Sequence, residues 1–460
     1  MQTSAIVYTF GISGPEEDQN HYTIRPAMDN LDAARMQMAF TLIFHIVFAC
    51  IGMVMPFFMV VSHIRWLRSR RPEFLTLTKA WQKGVAIFFV TGAVSGTALS
   101  FELGLLWPGF MKHAGPIIGM PFSLEGAAFF VEAVALGFYL YGWNKIPERF
   151  HLLTGVIVGV SGTASGILVV SANSWMNSPS GFDYVNGQFL NIDPVKAFLN
   201  DAWFGQALHM TLAAFIATSF AVAGIHAWQV YRDRNAGLHK PAFHIAIVFG
   251  AAAALLQPLS GDYSAKEIAR RQPVKLAALE AHYETGKGVP LYIGGIVDEK
   301  NKKVTHKLEI PKALSFLAFG DWNAEVKGLN DFPEEDLPPV AITHYAFQVM
   351  VGLGVLLVLA ALAYLISLKR TQWQARKIYW LFFSLMAPVG FIALEAGWIV
   401  TEVGRQPWII HRVMRTADAV TPMPGMLYSF YVYVGLYTML TFAVTWLMVR
   451  QIKVLNQQPA

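Results

Sequence analysis

The chain has 460 residues, of which 55% are hydrophobic and only 14% charged, where a soluble domain carries about 25% charged residues. With thirteen tryptophans and 33 phenylalanines, that balance excludes a conventional soluble enzyme. The net charge of +5 is scattered over loops, which excludes a nucleic-acid binder built on a basic patch. The one cysteine, Cys50, excludes an intrachain disulfide or a cysteine metal cluster. The composition is that of an all-α polytopic membrane protein.

Residues 1–37 carry Glu16, Glu17, Asp18, Asp29 and Asp32 against Arg25 and Arg35. They have no basic region leading an apolar core, so they are not a cleavable signal peptide, and we expect a mobile outer segment. Nine stretches then reach the roughly 20 apolar residues that a span needs. They are 38–61, 84–106, 122–141, 152–170, 203–228, 243–259, 344–368, 378–400 and 427–449. Spans one to six fill 38–259, and spans seven to nine fill 344–450. Residues 260–343 form one large polar loop between the sixth and seventh spans, too long to be structureless and therefore expected to be functional. Residues 451–460 form the tail.

Seventeen Lys/Arg flank the odd-numbered connections and the tail, against five (Lys112, Lys196, Arg405, Arg412, Arg415) in the short opposing loops. The positive-inside rule then sets the N-terminus and the large loop outside and the C-terminus in the cytoplasm.

Ionisable residues inside a span are functional candidates by default. His45 lies about seven residues into the first span, His209 about six into the fifth and Met350 six into the seventh, all roughly 10 Å below the outer surface. Glu125 opens the third span and Glu402 closes the eighth on that side. Zinc or calcium wants several ligands converging on one point, whereas heme needs one or two axial ligands per iron. Depth matching alone leaves heme ligation and interhelical hydrogen bonding equally open. Snorkelling at span ends accounts for His63, His226, His239 and His244, and His113, His282, His306 and His411 fall in loops. Glu125 and Glu132 share one helix face two turns apart, and Glu395 and Glu402 repeat that spacing with Trp398 between them. Such pairs suit proton transfer or structural hydrogen bonding.

Residues 395–408, EAGWIVTEVGRQPW, resemble the signature of subunit I of the cytochrome bd-type quinol oxidases, with GRQPW at 404–408 its most specific part. Four further segments agree in order: LDAARMQMAFTLIFH ending at His45, LEGAAFFVE with Glu125 and Glu132, FGQALHMTLAAF with His209, and HYAFQVMVGLG with Met350. KLAALEAHYET, carrying Lys275 and Glu280, resembles the quinol-binding start of the family's large loop. The resemblance covers about residue 28 to the C-terminus.

It implies that His209 and Met350 ligate a low-spin heme b. His45 and Glu402 would serve two high-spin hemes, one a heme b and the other a heme d or a third heme b, with no assignment of which residue serves which. Glu125 would lie at that pair, Glu132 on a proton path from the cytoplasm, Arg405 and Trp398 beside the hemes, and Lys275 and Glu280 at quinol. The implied function is quinol oxidation coupled to dioxygen reduction to water in the bacterial cytoplasmic (inner) membrane. The implied partners are subunit II, a small single-helix subunit, quinol, dioxygen and the lipid bilayer, with no nucleic acid.

Three departures stand out. Gln348 occupies a position that is Arg in better-known members, which should favour the oxidised form of the low-spin heme. The loop lacks a long C-terminal insertion, which places the chain with the short-loop, cyanide-insensitive-like group. Residues 1–27 match nothing in the family, and Met28 is a candidate start. The competing readings are an oxidase with b-type hemes alone, a proton- or cation-coupled secondary transporter using its Glu pairs, and a heme-binding subunit without turnover. Removal of residues 1–27 is expected to leave assembly and oxygen consumption intact; loss of either in the truncated protein would assign the segment a docking role.

Overall fold

The computed structural model describes residues 29–234 and 236–457; residues 1–28, where most of the expected outer segment falls, lie outside them. Helix α1 (Asn30–Ser69) begins where Asp29, in extended backbone, accepts the Asp32 amide at 2.7 Å, an N-cap that satisfies one of the helix's free donors. It ends at Arg70 in the left-handed conformation. Pro72 then starts α2 (Pro72–Leu106), a first-turn position where proline loses nothing. α3 (Pro108–Tyr141), α4 (Glu148–Asn177), the short α5 (Pro194–Phe198), α6 (Trp203–Tyr231) and α7 (Ala236–Arg271) follow. α8 (Pro273–Leu279) and α9 (Ala313–Phe319) belong to the large loop. α10 (Val340–Lys369), α11 (Lys377–Leu385), α12 (Val389–Val403), α13 (Thr416–Ala419) and α14 (Met426–Asn456) complete the chain.

Among the described residues, nine helical segments are long and apolar enough to span a membrane, with α11 and α12 counted as one. The spans number as expected, but their ends differ. α1 starts eight residues before 38 and α3 fourteen before 122, so Lys112 and His113 are helical rather than in a loop. α3 continues through Pro116 and Pro121; the polar and proline residues of that turn-rich stretch lower its hydropathy without ending the helix. α7 runs on to Arg271 and α14 to Asn456, into the expected loop and tail. The eighth span is broken between Leu385 and Val389, beside Pro388, where a missing amide and a ring clash interrupt the ladder. The helices therefore overrun the hydrocarbon layer: at 1.5 Å per residue a 40-residue α1 is about 60 Å long, twice the layer's thickness.

Consecutive helices pair as antiparallel hairpins, α1 with α2, α3 with α4 and α6 with α7, while α10 and α12 pack together and α12 also lies on α6. The main core runs through these contacts, from Met53, Val54 and Phe58 to Phe220, Phe243 and Phe383. α14 leans on α1 and α2 and leaves Tyr428, Tyr431, Phe442 and Trp446 exposed.

The loop is ordered. Its strands pair antiparallel as Leu291–Ile293 with Leu308–Ile310, Ile296–Asp298 with Lys303–Thr305 and Gly286–Lys287 with Glu325–Val326. Ala277, Ala278, Tyr283, Val304, Leu329 and Val340 give it a core. Gln348 on α10 clamps it, donating to the Tyr292 carbonyl at 3.0 Å and accepting from the Gly294 amide at 3.1 Å.

Candidate functional site

The residues of the GRQPW turn meet at the loop end of the bundle. As α12 finishes, Glu402 Oε2 accepts from Arg405 Nη2 at 2.5 Å and its Oε1 accepts from Asn173 Nδ2 of α4. Arg405 is 3% exposed, and its Nη1 donates to the Ile409 carbonyl at 2.7 Å. The guanidinium is therefore a buried clamp rather than a surface charge. Lys275 of α8, 4% exposed, donates to the Asn177 side chain at 3.3 Å and to the Thr401 carbonyl at 3.1 Å. Burial pushes its ammonium down to about 7, the Arg405 charge adding to the effect and Glu402 opposing it. Gly404 permits this approach, because a Cβ there would lie 3.1 Å from Lys275 Cε. A cavity of about 250 Å³ opens beside the turn, lined by Gln272, Lys275, Arg405, Gln406, Trp408 and His411 among others. Arg35 near the start of α1 donates to Gln406 at 3.2 Å and ties that helix to the turn.

His45 Nδ1 lies 2.9 Å from the Ser95 hydroxyl, which itself donates to the Thr91 carbonyl at 2.9 Å. Ser95 therefore accepts from Nδ1–H, and the lone pair stays on Nε2, the usual arrangement for a ligating histidine. His209 differs: Nδ1 is 3.2 Å from the Ser260 hydroxyl, and Nε2 accepts from Gln257 at 3.1 Å, so Gln257 rather than the serine fixes the tautomer and engages the Nε2 lone pair. A Cβ would crowd two of the candidate ligands, His45 and Met350, where glycine stands on the neighbouring helix, and would only touch the third. A Cβ at Gly96 would lie 3.0 Å from His45 Cε1, one at Gly397 3.1 Å from Met350 Sδ, and one at Gly261 3.8 Å from His209 Cε1.

The expected common depth is not reproduced by the helix starts. His45 lies fifteen residues into α1, His209 six into α6 and Met350 ten into α10, because the helices project unequally beyond the apolar stretches. Glu125 likewise does not open α3; it lies half-buried, well inside that helix. Glu132, 6% exposed, faces Gly162 of α4, where a Cβ would be 3.2 Å from its carboxylate. Glu395 is half-buried with neither oxygen bonded among the described residues, and Trp398 packs half-buried against the main core.

Lys275 and Glu280 are both buried, which removes the reading of a solvated amphipathic helix, but they occupy separate surroundings. Glu280 is 3% exposed, at the C-terminal end of α8, and does not line the cavity. Its Oε2 has no partner among the described residues. Burial alone pushes the Glu280 carboxyl up to about 8. A buried carboxyl oxygen without a partner marks a place that wants a polar ligand or water.

Several histidines expected at span ends or in loops are instead buried pins. His63 is fully buried and bonds the Tyr139 hydroxyl at 3.0 Å, while His226 and His239 share a 2.8 Å contact. Sequence reading also passed over Glu102 of α2, which is fully buried. The signal was available, since it is the single charged residue in the stretch 84–106.

Fold and sequence together define an α-helical integral membrane protein with nine apolar spans among the described residues. Residues 33–455 match the family described as cytochrome bd terminal oxidase subunit I, and the chain belongs to that family. A relative in Bacillus subtilis (strain 168), provisionally named a cytochrome bd menaquinol oxidase subunit I, is 35% identical over 92% of this chain and 96% of its own. The same organism's cytochrome bd ubiquinol oxidase subunit 1 is 30% identical over 93% of this chain and 94% of its own. A solved chain of the bd oxidase from Geobacillus thermodenitrificans superposes with a TM-score of 0.87 at 36% identity, covering 92% of this chain and 98% of that one. Family membership sets aside the transporter reading.

Proposed function

We propose that the chain is the heme-bearing catalytic subunit of a terminal oxidase of the bacterial inner membrane, taking electrons from quinol and reducing dioxygen to water. The observation that carries this is the family match over residues 33–455. His209 and Met350 would hold a low-spin heme b, and His45 and Glu402 the two high-spin hemes, one heme b and one heme d or a third heme b. The glycines close against His45 and Met350 and the Ser95-fixed tautomer of His45 support that fit. Bound heme supplies one-electron transfer and the reduction of dioxygen.

The protein's own groups do the rest. Arg405 and Asn173 hold Glu402 in one orientation, and Trp398 fills space beside it. Glu125 and Glu132 pass protons along one face of α3 toward the site. With the N-terminus outside, as the Lys/Arg bias directs, those protons come from the cytoplasm and charge crosses the membrane without a pump. The exposed face of α14 suits lipid or a second subunit; we assign subunit II and a small single-helix subunit as partners.

Quinol needs a base for its hydroxyl proton and a donor for its oxygen. Glu280, with its unbonded Oε2, is the base, and Lys275, which lines the separate cavity beside Arg405, is the donor for the head-group oxygen. A carboxyl pushed up to about 8 is mostly protonated at neutral pH, and its base form grows as pH rises through that value. Quinol turnover is therefore expected to climb from neutral to mildly alkaline pH in the wild type and to stay low and flat in Glu280→Gln, with heme spectra unchanged. A Glu280→Gln enzyme with the wild-type pH profile would move electron entry away from this loop.

A further inference from the structure

Glu102 is completely buried on α2, and no Lys, Arg or His bonds it among the described residues. Its Oε1 accepts from Gln37 Nε2 at 2.9 Å and from Thr41 Oγ1 at 3.0 Å, both neutral donors on α1. Its Oε2 has no partner among the described residues, and neither does Gln37 Oε1. The titratable groups that face it are Tyr433 and Tyr437, both on α14. A buried carboxylate with no countercharge is costly to keep ionised, so its charge follows whatever charge appears nearby.

The charge that changes nearby is at His45. Gln37, Thr41 and His45 recur every four residues along one face of α1, and Ser95 and Glu102 stand seven apart on the facing stripe of α2. Thr41 is one turn, about 6 Å, from His45, and Glu102 about 10 Å along α2 from Ser95. Two contacts of the same helix pair thus hold the histidine ring and the carboxylate.

We propose that Glu102 is the proton-exchanging carboxylate of the His45 site: with heme held there, its Oε2 would take one proton from water when the site gains one electron from quinol, and would return that proton to water when the electron passes on to dioxygen. This rests on the reading of His45 as a heme ligand. Proton and electron then favour each other's binding, and by linkage the effect is reciprocal. Glu125 and Glu132 lie on α3 and do not share these contacts, so Glu102 is a separate group from the α3 stripe.

The test is a spectroelectrochemical titration of the purified complex, with subunit II present, at several pH values across the neutral range. In the wild type the midpoint potential of the high-spin signal should fall as pH rises. In Glu102→Gln, which keeps an oxygen to accept from Gln37 and Thr41, the dependence should flatten, and Glu102→Asp should retain it. Should Glu102→Gln fail to assemble, Thr41→Val removes one donor to the charged form and leaves the carboxylate. The pH at which the dependence bends should then move upward. A wild-type slope in Glu102→Gln, or an unmoved bend in Thr41→Val, overturns the proposal. His45→Ala is measured beside them: loss of one of the two high-spin components supports the ligand reading, and retention of both overturns that reading and this proposal with it.

Discussion

Met350→Leu is expected to abolish the six-coordinate low-spin heme while leaving the fold in place. Leucine and methionine have similar volume, and such swaps in a packed interior cost less than about 1.5 kcal/mol. The Sδ of Met350 lies against Gly397, where even a methyl group would come within 3.1 Å, so leucine can fill the space but offers no lone pair to iron. The low-spin absorption should give way to a five-coordinate spectrum. Electron entry from quinol should slow by at least about tenfold, the effect of about 1.4 kcal/mol on a barrier. Unaltered low-spin absorption and redox behaviour in the variant would make Met350 a packing residue.

The second large effect is expected at Arg405. Its guanidinium is 2% exposed in the ion pair with Glu402, whose side chain is 29% exposed. Removing one partner of a buried pair leaves the other charge unpaired, at a cost of about 3 to 5 kcal/mol. Arg405→Gln should therefore lower the thermal midpoint of the complex and its high-spin heme content together. Arg405→Lys should recover part of both, since a lysine restores the charge but cannot donate in fork geometry to Glu402 and the Ile409 carbonyl at once. Lys275 is the built-in compensator. Loss of the Arg405 charge removes one of the influences that depress its ammonium, so Lys275 becomes more fully charged at neutral pH beside Glu402. Arg405→Gln combined with Lys275→Met should accordingly cost more than the sum of the two single changes. Strict additivity in heme content would mean that the two cations act independently.

The spans were legible because a bilayer demands long apolar runs, and nine such runs are plain in the residues. Their ends were not. Hydropathy falls wherever Lys112, His113, Pro116 and Pro121 cluster, yet backbone hydrogen bonds carry α3 straight through them. The break beside Pro388 was visible only as one proline among several tolerated ones. Glu402 and Arg405 could be picked out three residues apart on a helix end. Their third partner, Asn173, lies more than two hundred residues away, and no local pattern announces it. The same holds for Gln348, whose role in clamping the loop depends on the Tyr292 and Gly294 backbone. His63 and His226 look like snorkelling residues by position and turn out to be buried, because the polar groups that receive them come from other helices. Glu102 was the most readable of the missed residues. A lone acid inside an apolar run is a signal without any structure, though only the packing of α1, α2 and α14 says what it faces.

The central claim is that this chain carries hemes reducible by quinol. It is tested most directly by purifying the complex without oxygen, adding quinol, and recording the reduced-minus-oxidised spectrum before extracting the hemes for identification. The account predicts one low-spin b-type signal together with high-spin signals, all reduced by quinol and reoxidised when oxygen is admitted. A purified, folded complex that yields no extractable heme, or hemes that quinol does not reduce, would contradict it.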